Sequence, residues 1–112
     1  MTDISSTASV ATGKPARYGK QLASHLGRKV ASEWDPEVEQ GWIDFPNGGR
    51  ATLAAGDGVL LIALVAPDAE ALDRLEEVVG RHLVRFGAQD ELVCTWQRTD
   101  GTQGTEHRNT ED

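Results

Sequence analysis

The stretch GVLLIALVAPDAEALDRLEEVVGRHLVRF, residues 58 to 86, decides the fold. It opens with an unbroken apolar run, Val59 to Ala66, bounded by Gly58 on one side and Pro67-Asp68 on the other. A run this short between turn residues reads as a strand. Beyond Asp68 the pattern changes period: Leu72, Leu75, Val79, His82, Leu83 and Phe86 fall on one helical stripe. Asp68 suits the N-cap, where its carboxylate accepts a free N–H, and Gly87 suits the position just past the helix end. Glu70 with Arg74 and Glu77 with Arg81 are i, i+4 pairs in the better orientation, each worth a few tenths of a kcal/mol. The spacing therefore predicts a strand followed by a helix over residues 68 to 86.

Working outward, Lys14 to Lys29 reads as an earlier helix, with Tyr18, Leu22, His25 and Leu26 at helical spacing. Pro15 fits its first turn, where no backbone N–H is needed. Between the helices, Val30 to Trp34, Gly41 to Phe45 and Arg50 to Ala55 read as strands divided by turn clusters at Asp35-Pro36 and Pro46 to Gly49. Gly56 to Gly58 turns the chain into the run at Val59. Leu92 to Gln97 supplies a last strand. The predicted fold is α+β, in the order α-β-β-β-β-α-β, with a mainly antiparallel sheet and two helices packed on one face.

Residues 14 to 98 are expected to form one α+β domain. Residues 1 to 13 are rich in Ser, Thr and Ala, and residues 99 to 112 contain no apolar side chain. Neither segment has the apolar surface to offset the entropy of ordering it, so both are expected to be disordered tails, the second acidic.

The chain carries a net charge of −7 and lacks a basic stripe, which disfavours nucleic acid as a partner. Cys94 is the sole cysteine, which excludes an internal disulfide and suits a reducing compartment. No signal-peptide pattern is evident, and no apolar run approaches the ~20 residues that cross a bilayer. The expectation is a cytoplasmic protein without membrane insertion.

Along Val59 to Ala66 both alternating sets are apolar, whereas a strand with one wet face alternates apolar with polar. Strong curvature, a subunit partner or an apolar ligand must cover the second sheet face. A homodimer through that face is the first expectation.

His82 lies within the apolar stripe of its helix, and His25 sits beside Leu22 and Leu26 on the other. Packed helices would let the two imidazoles meet. Hydrogen-bonded histidines bridging helix and sheet are the favoured reading, and ligation of a transition metal or haem iron the alternative. Trp34, Trp42 and Trp96 offer an aromatic wall for a planar ligand, although core and interface filling is the commoner use. Glu33, Asp35, Glu37, Glu39 and Asp44 surround the first hairpin as a solvated, edge-protecting set with no EF-hand spacing. The glycine clusters lack the context of a phosphate loop, and Cys94 reads as a small buried hydrophobe. No nucleophile, base and oxyanion hole come together, so the reading leans away from an enzyme, with no catalytic residue and no cofactor expected.

The segments ARYGKQLASHLGRKV, GWIDFP, ATLAAGDGVLLIALVAPDAEALDRLEEVVGRHLVRFG and ELVCTWQR, in that order, are similar to the bacterial domain-of-unknown-function 2218 family. The resemblance covers Ala16 to Arg98 and implies a small stand-alone α+β domain. It also implies, through proteins found near or fused to relatives, an association with siderophore-interacting reductases and so with iron handling. In the first helix this chain matches the relatives' pattern at Lys20, Gln21, Leu22, Ser24, His25 and Lys29. It departs at Ala23, where a cysteine is frequent, and at Arg28, where a second histidine is frequent. Those departures remove half of any Cys/His ligand set, whereas His82 is retained. The resulting expectation is a non-enzymatic binding or accessory domain, with siderophore or iron handling as its setting. The alternatives are a structural homodimeric interaction module, or a metal or haem protein using His25 and His82.

Overall fold

Val59–Ala66 is indeed a strand, and its partners reveal the architecture. The computed structural model describes residues 3–46, 48–86, 92–99, 101 and 103–108. In chain order these form β1 (Ile4–Ala11), α1 (Pro15–Leu26), β2 (Ala31–Asp35), β3 (Gln40–Asp44) and β4 (Arg50–Ala55). There follow β5 (Val59–Ala66), α2 (Ala69–Phe86), β6 (Val93–Arg98) and β7 (Gln103–Arg108). The fold is α+β: two helices and a seven-stranded antiparallel sheet in the order β2-β3-β4-β5-β1-β6-β7.

The ends of the chain are the main correction. Residues 4 to 11, expected to be disordered, form a strand in the interior of the sheet, paired along its whole length with β5 and also with β6. The physical reason is strict alternation. Ser6, Ala8 and Val10 are buried, whereas Thr7, Ser9 and Ala11 face water. Small side chains suffice there because a central strand is stabilised by two hydrogen-bonded neighbours. Residues 103 to 108, expected in the acidic tail, form the edge strand β7 on β6. The predicted order thus lacked a strand at each end.

The strands read from sequence are otherwise displaced by at most one residue, within the usual ambiguity of element ends. α1 carries its proline in the first turn. At α2 the Asp68 carboxylate accepts the Ala71 N–H at 2.8 Å, the N-cap bond that spacing implied. Gly87, the expected end residue, lies outside the described residues.

Register places the buried strand residues on one face. Ile43 stands opposite Ala51, Ala51 opposite Leu64, Leu53 opposite Ile62, and Ile62 opposite Ala8. These join Leu22, Leu72, Leu75, Val79 and Leu83 from the helices in the core. Each helix touches that face: α1 at Gly19 lies over Leu60 and Trp34, and α2 at Glu76 lies by Thr105 and Arg98. A Cβ at Gly19 would come within 2.7 Å of the Trp34 ring, so only glycine allows this approach.

The opposite face is open. There the row Glu33–Trp42–Thr52–Ala63–Thr7 crosses five strands, flanked by Asp44–Arg50–Val65–Ser5 and Gln40–Ala54–Leu61–Ser9. Leu61 is 44% exposed and Val65 40%. Among the described residues no helix is long and apolar enough to cross a membrane.

Candidate functional site

Among the described residues three places carry chemistry: a groove on the open sheet face, a histidine pair between the helices, and a buried ion pair beneath α2. The groove has a volume of about 710 Å³. Leu61, Ala63 and Ala54 from β5 and β4 give it an apolar floor, Val38 and Trp42 an apolar side, and Glu33 and Asp35 an acidic margin. The alternation that buries Leu60, Ile62 and Leu64 on the core side necessarily sends Leu61 and Ala63 here. Trp42 is braced: Arg50 lies 4.9 Å from its ring centre and also holds Asp44 through bonds of 2.5 and 2.8 Å. Those bonds from Arg50 hold the Asp44 carboxyl below the usual aspartate range. Asp44, one of the hairpin carboxylates, thus fixes an arginine over a tryptophan.

The three tryptophans do not meet in one wall. Trp42 faces the groove, Trp34 packs under α1 at Gly19, and Trp96 is buried in β6 on the core side. The Trp96 indole N–H finds no hydrogen-bond partner among the described residues.

His25 and His82 do meet. Their ring centres are 5.1 Å apart, tilted by 46°, and the Phe86 ring lies edge-on to His25 at 5.2 Å. His82 Nδ1 is 2.6 Å from the Val78 carbonyl oxygen, which accepts its proton. His82 is half-buried and His25 exposed. Desolvation and then the neighbouring His82, Arg28 and Lys29 push the His25 pKa down. Neither ring bridges to the sheet by a hydrogen bond among the described residues. Within the same limits, no cluster of three or more His, Cys, Asp or Glu side chains is arranged to hold a metal.

The buried ion pair is a feature that the sequence reading missed. Glu76 of α2 is fully buried and accepts bonds from Arg98 at 3.1 and 3.2 Å, from the Thr105 N–H at 3.1 Å and from the Thr105 hydroxyl at 2.9 Å. Arg98 also reaches Asp73. Burial alone would raise the Glu76 pKa, but Arg98, with smaller contributions from Ser6 and Thr105, carries it below the ordinary value. The Ser6 hydroxyl contributes by proximity only, since its geometry completes no hydrogen bond. His107 Nε2 lies 2.9 Å from the Thr105 oxygen, whose own proton goes to Glu76, so His107 is the donor there. A signal was available: Glu76 sits four residues after Leu72 and three before Val79, inside the apolar stripe.

Nearby Cys94 is buried, and desolvation, helped by Glu76, pushes its thiol up to about 12. That agrees with the reading of Cys94 as a small hydrophobe.

Comparison with known proteins adds a family. A family model described as "Uncharacterized protein conserved in bacteria (DUF2218)" matches residues 7–97. The chain is also similar to the NMR structure of PA4090 from Pseudomonas aeruginosa, at 35% identity and a TM-score of 0.68, over 84% of this chain and 95% of that one. No curated protein matches.

Proposed function

The chain belongs to the bacterial domain-of-unknown-function 2218 family, and from that premise we propose that it is a non-enzymatic cytoplasmic binding domain. In this reading both helices cover one side of the sheet, and the other side receives a small amphiphilic molecule. The observation that carries it is the groove of about 710 Å³ over Leu61, Ala63 and Trp42. Ligand sites typically enclose about 300 to 1,000 Å³ and combine apolar walls with a few convergent polar groups. Here the apolar floor suits a hydrocarbon or aromatic body, and Glu33 and Asp35 suit cationic or hydrogen-bond-donating substituents. The iron connection that the family resemblance implies makes ferric siderophore complexes the first ligands to try.

The test uses the placement of the tryptophans. Binding should quench intrinsic fluorescence in the parent protein and leave Trp42→Phe nearly silent, because Trp34 and Trp96 belong to the other side. Leu61→Asp should weaken binding by about tenfold or more without lowering the melting temperature, since its side chain already faces water. Equal binding by Leu61→Asp and the parent protein would remove the groove from consideration.

The exposure of Leu61 and Val65 favours a second reading, a homodimer through this same face. Light scattering separates the two. A dimer doubles the mass at high concentration without any ligand, and Leu61→Asp returns it to the monomer.

A further inference from the structure

The histidine pair has a geometry independent of the groove and on the other side of the sheet. His25 lies in the last turn of α1 and His82 in the last two turns of α2. Imidazole nitrogens bound to one tetrahedral metal ion at ~2.0–2.1 Å place their ring centres ~5.3 Å apart. The observed separation is 5.1 Å, with the rings tilted and not stacked. The Val78 carbonyl takes the Nδ1 proton of His82, which leaves the Nε2 lone pair free. A backbone carbonyl in that role is the usual outer partner of a metal-bound imidazole, fixing tautomer and ring orientation. A small cleft of about 230 Å³, lined by His82 with Glu77, Val78, Arg81 and Arg85, opens on the α2 side of the pair. The charged surroundings are mixed: Arg28, Lys29 and Arg85 oppose a cation, while Arg81 is held by Glu77 at 3.1 Å.

We propose that His25 and His82 form an open two-imidazole site for a late first-row divalent ion, with water or an incoming ligand completing the coordination. Borderline ions such as Cu²⁺ and Zn²⁺ suit imidazole donors, and Cu²⁺ binds tightest in the divalent series. With only two protein ligands the ion is exchangeable and not a structural fixture.

Cu²⁺ alone, titrated into the full chain at neutral pH, tests this by proton NMR of the histidine rings. Substoichiometric Cu²⁺ should broaden the His25 and His82 signals first, while His107, packed against Gly80 and bonded to Thr105, broadens less. His25→Gln and His82→Gln should each weaken binding by about tenfold or more, and His107→Gln should leave it unchanged. Apo melting curves of the single variants establish that each still folds. Equal broadening of all three histidines, parental affinity in either His25→Gln or His82→Gln, or no uptake at all would overturn the proposal. Failure of the groove to bind any ligand would not touch it.

Discussion

Glu76 concentrates the most consequential electrostatics of the molecule into one carboxylate. It is fully buried, yet Arg98 and Thr105 satisfy it so well that its pKa lies below the ordinary glutamate value. Removing one member of such a pair strands the other charge in a low-dielectric interior. Glu76→Gln is therefore expected to lower stability by about 3 kcal/mol, measured by urea unfolding. A loss under ~1 kcal/mol would mean that Arg98 finds water instead. Half of this was legible. The helical stripe exposes Glu76 as out of place, but its partner Thr105 lies in a segment with no apolar residue, and hydrophobic patterning is blind to polar burial. Cys94 gives a companion prediction. With its thiol pushed up to about 12, it should resist Ellman's reagent at pH 8 until the protein unfolds. Rapid labelling of the native state would place it at the surface.

Among the elements, α2 and β2 to β6 were readable because each has a strong period or a strong turn at its edge. The cap at Asp68 and the ion pairs Glu70–Arg74 and Glu77–Arg81 formed where spacing put them. β1 was hidden because its buried set, Ser6, Ala8 and Val10, is too small and too polar to register as a core face. The alternation was present; hydropathy was not. Its position makes it testable. A disordered tail can be cut without effect, whereas β1 pairs with both β5 and β6 and carries Val10 into the core. Deleting residues 1 to 11 should abolish cooperative thermal unfolding, and a cooperative melt in the truncated chain would contradict the sheet order. The helix–sheet contact at Gly19 offers a finer test. Gly19→Ala pushes a methyl group into the Trp34 ring and should cost about 1 to 3 kcal/mol, with Trp34 emission shifted.

At the scale of the whole molecule, the two layers are tied together by groups that titrate, and the sign of their effect can be worked out. Burial holds the His107 pKa below the ordinary 6.5 despite the opposing charges of Glu76 and Glu77. A histidine depressed in the folded state binds fewer protons than in the unfolded chain. Its contribution is complete above 6.5 and lost as pH falls toward the folded value. Glu76 is also depressed, so its contribution is complete above the ordinary 4.5 and lost at still lower pH. His25 acts in the same direction as His107, but it is exposed and its share is screened by solvent. Stability should therefore decline in two stages on acidification, a shallow one beginning near 6.5 and a steeper one below 4.5. His107→Asn should flatten the first stage and spare the second. His25→Gln should alter the first only slightly. Because the second stage begins at the ion pair that joins α2 to β6 and β7, acid should release this end of the sheet before β2 to β5. Hydrogen exchange at pH 4 checks the order: β6 and β7 amides should lose protection first. Simultaneous loss across all seven strands would show that Glu76 anchors the whole sheet and not one side of it.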